Sequence, residues 1–248
     1  MGSRIADWVR QTPGLQLAGA TESPGSFALG MTLPEGHAVA DDLEKVIARG
    51  DVVIDFTSPA STLHHAEIVT RHKKAIVVGT TGFNPDEKKR LISLIDQVPS
   101  VFSPNMSIGV NVLFKIVAEA ARLLGDDYDV EIVEAHHRFK KDAPSGTALG
   151  LAESVSAALG RNLAEVACYE RHGNVGERKP KEIGIQTLRG GDIVGDHTVM
   201  FAGMGERVEI SHRATSRDNF ARGAVLAAKW LQGKKPGIYT MRDVLNIR

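Results

Sequence analysis

Residues 131–148 bring together a proton donor, a fixed positive charge and the backbone N–H groups of a predicted helix start. His136 and His137 end an apolar run whose β-branched residues favour a pleated strand. Lys140 follows in a short loop, and the apolar spacing becomes helical from about Gly146 to residue 159. Because the first N–H groups of a helix have no partner within it, this helix and Lys140 predict an anion-binding site.

The two histidines predict acid–base chemistry, since an imidazole with an unperturbed pKa of about 6.5 gives up a proton near neutral pH. Successive residues of a strand point to opposite faces, so we expect different roles for His136 and His137. Structural explanations also stay open at this point. A tandem histidine pair is often structural, and Asp142 or Ser145 can simply cap the following helix.

Metal and nucleophile chemistry have less support in the sequence. The chain has no H-E-x-x-H pattern and no Cys/His cluster, so no metal site is predicted. His64 and His65 lie in a helical run that we expect at the surface. Ser145 follows Ala143-Pro144, and this setting lacks the G-x-S-x-G turn of a serine nucleophile.

The composition is typical of a soluble globular protein with a local, small ligand site. The 248 residues include 30 basic and 30 acidic side chains, so no net charge favours nucleic acid or an anionic membrane. Cys168 is the only cysteine, which excludes an intrachain disulfide and fits a reducing, cytoplasmic environment. The sequence has no apolar stretch long enough to span a bilayer, so no membrane partner is expected.

The N-terminal half predicts a doubly wound α/β sheet. Short apolar runs at Leu15–Ala20, Val52–Phe56, Ala75–Val78 and Val101–Ser103 read as buried parallel strands. Helical patterns lie between them, and Asn84-Pro85 forms a good helix start. This alternation of strands and helices is typical of a parallel sheet covered on both faces.

The second half predicts antiparallel pairing. Strands are expected at Ile183–Arg189, His197–Ala202 and Glu206–Ser211, with a Gly-rich joint between the last two. The polar segment Arg171–Lys181 predicts a mobile loop. A final amphipathic helix is expected near Asn219–Leu231.

The order of groups in residues 131–148 resembles the signature of the dihydrodipicolinate reductases, also called 4-hydroxy-tetrahydrodipicolinate reductases. The resemblance extends over nearly the whole chain. It implies NADH- or NADPH-dependent reduction of 4-hydroxy-tetrahydrodipicolinate to tetrahydrodipicolinate, a step of diaminopimelate and lysine biosynthesis. The implied substrate is a small cyclic dicarboxylate, and the implied assembly is a homotetramer.

The resemblance also implies two domains. A Rossmann-like, doubly wound domain for nucleotide binding comprises residues 1–106 and 217–248. An inserted α+β domain with a mixed or antiparallel sheet, residues 107–216, carries the substrate site and the oligomer contacts. The apolar pattern alone does not predict that the last helix returns to the first domain.

The resemblance assigns roles to the groups in residues 131–148. His136 stabilises or protonates the electron-rich intermediate that follows hydride transfer. Lys140 and the backbone N–H groups of Gly146 and Thr147 hold a substrate carboxylate, and His137 adds a contact. His136 and Lys140 are therefore the expected catalytic residues.

The nucleotide site is expected to depart from the family at its start. The family's turn, G-x-x-G-R-M-G, runs into a helix, and Met1-Gly2 resembles its last two residues. We therefore expect the first strand and the earlier glycines of the turn to be missing. Glu22 follows a predicted strand, where an acidic residue accepts hydrogen bonds from the adenosine ribose. Ser23 stands where some members carry Arg, which leaves the choice between NADH and NADPH open.

Two loops after buried strands are expected to hold the nicotinamide end of the cofactor. They are Gly79–Gly82 and Ser103–Met106, and ligands of such sheets bind at the carboxyl ends of strands. Without the resemblance, an ordinary turn is an equally good interpretation of each loop. The predicted cofactor-binding residues are Gly2, Glu22, Gly79, Thr80, Thr81, Ser103, Pro104, Asn105 and Met106.

Two alternatives stay open at the level of sequence. One is a non-catalytic dicarboxylate-binding or assembly protein that has lost its nucleotide turn, although such a protein has no evident use for His136 and Lys140. The other is a different nicotinamide-dependent reductase with the same two domains and another substrate loop.

Overall fold

The structure, a computed structural model, describes residues 1–247 and divides the chain into two compact units. The first unit comprises Met1–Ile108 together with the C-terminal residues from Asp218 onward, and the second comprises Gly109–Arg217. The boundaries predicted from the sequence lie near 106 and 217.

The described residues form eight α-helices and nine strands. The helices are α1 (Gly2–Gln11), α2 (Pro59–Arg71), α3 (Pro85–Ile95), α4 (Ile108–Leu124), α5 (Gly146–Ala158), α6 (Leu163–Val166), α7 (Asp218–Trp230) and α8 (Met241–Val244). The strands are β1 (Val52–Asp55), β2 (Ala75–Val78), β3 (Pro99–Phe102), β4 (Asp129–His136), β5 (Ala167–Cys168), β6 (Ile183–Arg189), β7 (Gly195–Gly203), β8 (Glu206–Ala214) and β9 (Gly237–Tyr239). Short 3₁₀ turns cover Leu43–Lys45, Ile47–Arg49 and Gly125–Asp127.

The first unit is a parallel sheet in the order β1-β2-β3-β9, with helices on both faces. Alternate residues of β2 are fully buried on opposite sides. Ile76 and Val78 pack with α2 and α3, whereas Val77 packs with α7 and α8. This two-sided burial explains why the run is apolar throughout, and it confirms the doubly wound fold predicted from the sequence.

Local sequence determines where helix α3 begins. The side chain of Asn84 accepts a hydrogen bond from the backbone N–H of Glu87, the Glu87 carboxylate accepts from the N–H of Asn84, and Pro85 occupies the first turn. This capping box confirms the predicted helix start. It also fixes the direction in which the chain leaves the loop after β2.

The first unit corrects several expectations about strands. Leu15–Ala20 forms no strand, because its backbone makes no ladder with β1, which is an edge strand within residues 1–247. Only an isolated bridge joins Thr21 to Ala40. The predicted strands at 52–56 and 101–103 correspond to β1 and β3 with ends shifted by one or two residues. The sequence did not predict α4, α8 or β9.

The second unit is a mixed sheet in the order β5-β6-β4-β7-β8. The central strand β4 is parallel to β6 and antiparallel to β7, and β7 pairs antiparallel with β8. Helices α4 and α5 cover one face, where Ile132, Leu151 and Phe201 are buried in one cluster. The predicted strands of this half and the helix that follows residue 145 are confirmed. The antiparallel pairing expected for Ile183–Arg189 is wrong, because this strand pairs in parallel with both β4 and β5.

The predicted loop Arg171–Lys181 contains no helix or strand, but ion pairs hold it against β4. Arg171 donates to both carboxylate oxygens of Glu131 at 2.8 and 3.0 Å, and Arg178 donates to the same carboxylate at 3.2 Å. A side chain at Gly184 would overlap that carboxylate, since an added Cβ would lie 1.9 Å from its Oε2. The absence of a side chain there therefore leaves room for the ion pairs.

Candidate functional site

The alternation of β4 places Glu134 and His136 on its buried face. Val130, Ile132, Glu134 and His136 are buried, whereas the residues between them are partly exposed. The strand thus carries an apolar core at its start and two ionisable side chains at its carboxyl end. His137 comes one residue after the strand.

Glu134 is fully buried and forms the hub of this site. Its Oε2 lies 2.6 Å from Nδ1 of His136, and Arg189 donates to both carboxylate oxygens at 2.8 and 2.9 Å. The backbone N–H of Ser145 and the hydroxyl of Thr187 also donate to Oε1, at 2.9 and 3.3 Å. Burial alone would raise the pKa of Glu134, but these hydrogen bonds outweigh it and lower the pKa.

Arg189 reaches the hub because β6 pairs in parallel with β4, in the register that sets Arg189 beside His136. Its Nη2 also donates to the backbone carbonyl of Asp142, at 2.6 Å. The same guanidinium therefore binds the buried carboxylate of β4 and the loop that follows it. Arg189 is not among the residues predicted from the sequence, since no local pattern around it indicates a partner in β4.

His197 approaches the site from β7. Its Nε2 lies 3.0 Å from the hydroxyl of Ser145, and its ring centroid lies 5.1 Å from that of His136. Burial lowers the pKa of His197 to about 4, and the charge of His136 acts in the same direction. His197 is therefore neutral near pH 7, and its Nε2 and the Ser145 hydroxyl share a hydrogen bond in which the tautomer of the ring decides the donor. His197 is likewise not among the residues predicted from the sequence.

Ser145 connects the hub to helix α5. Its hydroxyl oxygen accepts from the backbone N–H of Ala148, at 3.1 Å, so it is the N-cap of the helix. Its own N–H donates to Glu134. Gly146 and Thr147, the predicted carboxylate contacts, form the first turn of this capped helix, which has no acidic side chain there. Ser145 therefore caps α5, which is the structural role that the sequence left open for it.

Lys140 lies in the loop between β4 and α5 and pairs with a carboxylate of the same loop. Its Nζ lies 2.9 and 2.8 Å from the two oxygens of Asp142. This contact lowers the pKa of Asp142. Lys140 is also close enough to His197 for its charge to help lower the pKa of that ring, after burial and His136. The pairing of Lys140 with Asp142 was not predicted from the sequence.

His137 lines a separate cavity of about 280 Å³. Phe139, Asp192, Val194 and Arg217 line the rest of it. The two adjacent histidines thus have different surroundings: His136 contacts the buried carboxylate, and His137 faces the cavity. Arg217 adds a cation that the sequence analysis did not single out.

The predicted cofactor residues lie in the first unit. Gly2 is the first residue of α1, whose first turn has no acidic side chain and no side-chain cap. A Cβ added at Gly2 would have open space around it, so a phosphate could approach this positive helix end closely. Glu22 is exposed, and its Oε1 accepts from the N–H and the hydroxyl of Ser23 at 2.8 and 3.2 Å.

A buried carboxylate organises the edge of the parallel sheet where β1 and β2 end. Asp55, the last residue of β1, accepts from the N–H of Thr57 at 3.0 Å and from the hydroxyl of Thr80 at 3.3 Å. The hydroxyl of Thr62 in α2 and Nδ1 of His65 also contact it, at 3.2 and 2.7 Å. Burial would raise the pKa of Asp55, but these contacts lower it. His65, expected at the surface, is largely buried in this cluster.

The loops after β2 and β3 approach neighbouring groups closely. A Cβ added at Gly79 would lie 2.3 Å from the ring of Phe56, so a side chain at this position would require the ring to move. After β3, Ser103 donates to the carbonyl of Asn105 at 3.2 Å. The carbonyl oxygen of Met106 would lie 1.8 Å from a Cβ at Gly223, so α7 packs directly on this loop. Thr81 and Pro104 lie in the same two loops.

Among residues 1–247 there is neither a metal-binding cluster nor a membrane-spanning helix. In this part of the chain, no group of three or more His, Cys, Asp or Glu side chains is arranged to hold a metal ion. None of the helices described there is both long and apolar enough to cross a membrane.

Comparison with known proteins gives matches over both halves of the chain. A sequence profile of the dihydrodipicolinate reductase N-terminus matches residues 1–106, and one of the dihydrodipicolinate reductase C-terminus matches residues 109–245. The 4-hydroxy-tetrahydrodipicolinate reductases of Anaeromyxobacter dehalogenans strain 2CP-1 and Desulfotalea psychrophila strain LSv54 are 57% and 55% identical to this chain. These alignments cover 100% of the chain and 94% and 95% of the two relatives.

Solved structures share the fold. A dipicolinate-bound dihydrodipicolinate reductase from Paenisporosarcina sp. TG-14 superposes with a TM-score of 0.76 at 23% identity, covering 100% of this chain and 95% of the other. An amine dehydrogenase from Mycobacterium smegmatis gives a TM-score of 0.54 at 13% identity, covering 97% of this chain and 92% of the other. At these identities the likeness concerns the fold alone.

Proposed function

The chain belongs to the dihydrodipicolinate reductase family, and from this premise we propose that it reduces 4-hydroxy-tetrahydrodipicolinate to tetrahydrodipicolinate with NADH or NADPH. The observation that carries the proposal is the ring of His136, held by a buried carboxylate near a cationic loop and a helix start. These are the groups that proton transfer to a small dicarboxylate requires.

The reaction replaces the 4-hydroxyl group of the substrate by hydrogen. It consumes one hydride and one proton and releases one water molecule. Bound NADH or NADPH supplies the hydride from C4 of its nicotinamide. The protein has to hold both carboxylates of the substrate and provide the proton.

His136 is the proton donor in this proposal. Its Nδ1–H donates to Glu134, so the ring is fixed in one orientation and Nε2 carries the proton that is transferred. The buried carboxylate stabilises the charged ring before transfer. Because Glu134 is bound on its other sides by Arg189 and Ser145, it cannot turn away from His136.

Lys140 and the start of α5 hold one substrate carboxylate. The N–H groups of Gly146 and Thr147 belong to the first turn of the helix, which favours an anion. Lys140 has to release Asp142 to bind this carboxylate. His137 and Arg217, which line one cavity, provide contacts for the other end of the substrate.

The first unit fits a dinucleotide at three places. The start of α1 at Gly2 suits a pyrophosphate, because its first turn contains no acidic residue and Gly2 leaves space for the ligand. Glu22 can accept hydrogen bonds from ribose hydroxyls, and the neutral Ser23 beside it provides no cation for a 2′-phosphate. The nicotinamide end is assigned to the two loops after β2 and β3, which contain Gly79, Thr80, Thr81, Ser103, Pro104, Asn105 and Met106.

Residues 1–106 and 217–248 are assigned to nucleotide binding, and residues 107–216 to substrate binding and oligomer contacts. A homotetramer in the cytoplasm is part of the proposal. Leu188 and Val208 are exposed on the sheet of the second unit, where contact with other copies would bury them. Light scattering of the purified chain tests the assembly.

Steady-state kinetics of His136→Ala test the proposed function. We expect turnover to fall by roughly 10²–10⁴-fold, as for other positioned general acids, with an unchanged circular dichroism spectrum. His172→Ala is the matched control, because His172 is exposed in the loop before β6. Near-wild-type turnover in His136→Ala would contradict the assignment. An inactive wild-type chain that binds dipicolinate would favour the non-catalytic alternative.

A further inference from the structure

We propose that Arg189 is a positioning residue that acts through Glu134 to fix the ring of His136 and to set how readily this ring gives up its proton. The inference rests on the proposed role of His136 as proton donor. Arg189 itself lies behind the carboxylate, and no step of the reaction requires it to touch the substrate.

The contacts place the three side chains in a series. Arg189 donates to Oε2 of Glu134 at 2.8 Å, and the same oxygen lies 2.6 Å from Nδ1 of His136. The second arm of the guanidinium donates to Oε1 at 2.9 Å. Such two-point binding fixes the plane of the carboxylate, and hence the position of the atom that holds the imidazole.

The charges that face His136 come from four elements. Glu134 lies on its own strand, Arg189 on β6 and His197 on β7, and the loop before α5 contributes Lys140 and Asp142. His197 is uncharged near pH 7, and Lys140 is paired with Asp142. Arg189 is therefore the cation that directly offsets the charge of Glu134.

This offset gives the effect of Arg189 a definite sign. A carboxylate shared with a guanidinium attracts the proton of His136 less strongly than an unshared one. Loss of the guanidinium would leave the full charge of Glu134 acting on the ring, so the pKa of His136 would rise. Loss of the carboxylate charge would act in the opposite direction and lower the pKa of His136.

NMR titration of the histidine rings in the full-length chain tests the inference without requiring turnover. The signal of His136 is identified by its disappearance in His136→Gln. We expect its titration midpoint to rise by roughly one pH unit in Arg189→Gln and to fall by a similar amount in Glu134→Gln. Arg189→Lys retains the charge and should keep the midpoint near that of the wild type.

The double variant Glu134→Gln/Arg189→Gln tests whether Arg189 acts through Glu134. It lacks both the carboxylate and the guanidinium, and its midpoint should lie closer to that of Glu134→Gln than Arg189→Gln lies to the wild type, because the carboxylate that transmits the effect of Arg189 is absent. If the double variant differs from Glu134→Gln by as much as Arg189→Gln differs from the wild type, Arg189 acts directly and the inference is wrong. An unchanged midpoint in a folded Arg189→Gln would also overturn it.

Two comparisons remain decisive if Arg189→Gln does not fold. The first is Glu134→Gln against the double variant, and the second is Arg189→Lys against the wild type. Kinetics then distinguish the role of Arg189 from the proposed reductase function. If the wild-type chain has no reductase activity but the His136 midpoint shifts as expected in the variants, only the reductase function is contradicted. In an active chain, the alkaline limb of kcat against pH should move with the His136 midpoint in each variant, a shift that a purely structural role would not produce.

Discussion

The pairing of Lys140 with Asp142 means that the substrate has a competitor within the protein. Both oxygens of the exposed Asp142 carboxylate contact Nζ of Lys140, as a substrate carboxylate would. We expect Asp142→Asn to bind dipicolinate about two- to fivefold more tightly, since a partly exposed ion pair contributes up to about 1 kcal/mol. Isothermal titration calorimetry measures this affinity.

Lys140→Ala and Lys141→Ala complete the test at the residue scale. Lys140→Ala should weaken dipicolinate binding, and adding Asp142→Asn to it should have no further effect. Lys141 is exposed beside Lys140 and serves as the control, with an unchanged affinity expected. If Asp142→Asn weakens binding instead, the carboxylate orders the loop for the ligand and does not compete with it.

The sequence predicted the groups of this site that are close together along the chain. His136, Lys140 and Gly146 lie within one strand, loop and helix start. Arg189 and His197 were missed because they depend on register: β6 sets Arg189 beside His136, and β7 sets His197 beside Glu134. Strand pairing across more than fifty residues leaves no local pattern to indicate either contact.

At the scale of elements, Asp55 joins β1, α2 and the loop after β2. Its carboxylate accepts hydrogen bonds from Thr57, Thr62 and Thr80 and contacts His65. We expect Asp55→Asn to weaken NADH binding by about tenfold, because an amide group cannot accept from all of these donors and the loop loses its anchor. Calorimetric titration of NADH into the full-length chain measures the change.

The same experiment contains its own controls. Dipicolinate affinity should be unchanged in Asp55→Asn, since the residues assigned to the dicarboxylate lie in the other unit. Asp51→Asn, four residues earlier at a fully exposed position, should leave both affinities unchanged. Equal NADH affinity in Asp55→Asn and the wild type would show that the buried carboxylate does not shape the cofactor site.

Elements with strong local signals were predicted well, and the misses have physical causes. The ends of β2 and the start of α3 follow from a short apolar run and a capping box. Leu15–Ala20 has the composition of a strand, but a strand also requires a hydrogen-bonded neighbour. The short β9 is a strand that the sequence did not predict, because its partner β3 lies more than a hundred residues earlier in the chain.

At the scale of the whole molecule, the chain combines a neutral overall charge with buried ionisable groups in each unit. Composition predicted the first property, and only the fold gives the second. The pKa values of four of these ionisable groups are lowered. Asp55 and Glu134 have lowered pKa values as carboxylates, and His197 and His212 have lowered pKa values as histidines.

These shifts affect stability in separate pH windows. A carboxylate with a lowered pKa contributes stability above its unfolded pKa of about 4, and this is lost only below that value. His197 titrates near pH 4 when folded and near pH 6.5 when unfolded. As the pH falls from about 6.5 to about 4, the unfolded chain therefore binds a proton that the folded chain excludes, and stability decreases.

We therefore expect the free energy of unfolding to fall by about 2 kcal/mol between roughly pH 7.5 and pH 5 on account of His197 alone. His212, whose pKa burial also lowers, adds a smaller loss in the same direction. Urea denaturation at both pH values measures the change.

His197→Gln can still hydrogen-bond Ser145 but cannot titrate, so it should lose clearly less stability than the wild type over this range. An equal loss in both proteins would mean that the folded and unfolded chains take up the His197 proton over the same pH range. Burial would then not lower the pKa of His197, and the charged ring would donate to Ser145 at pH 5.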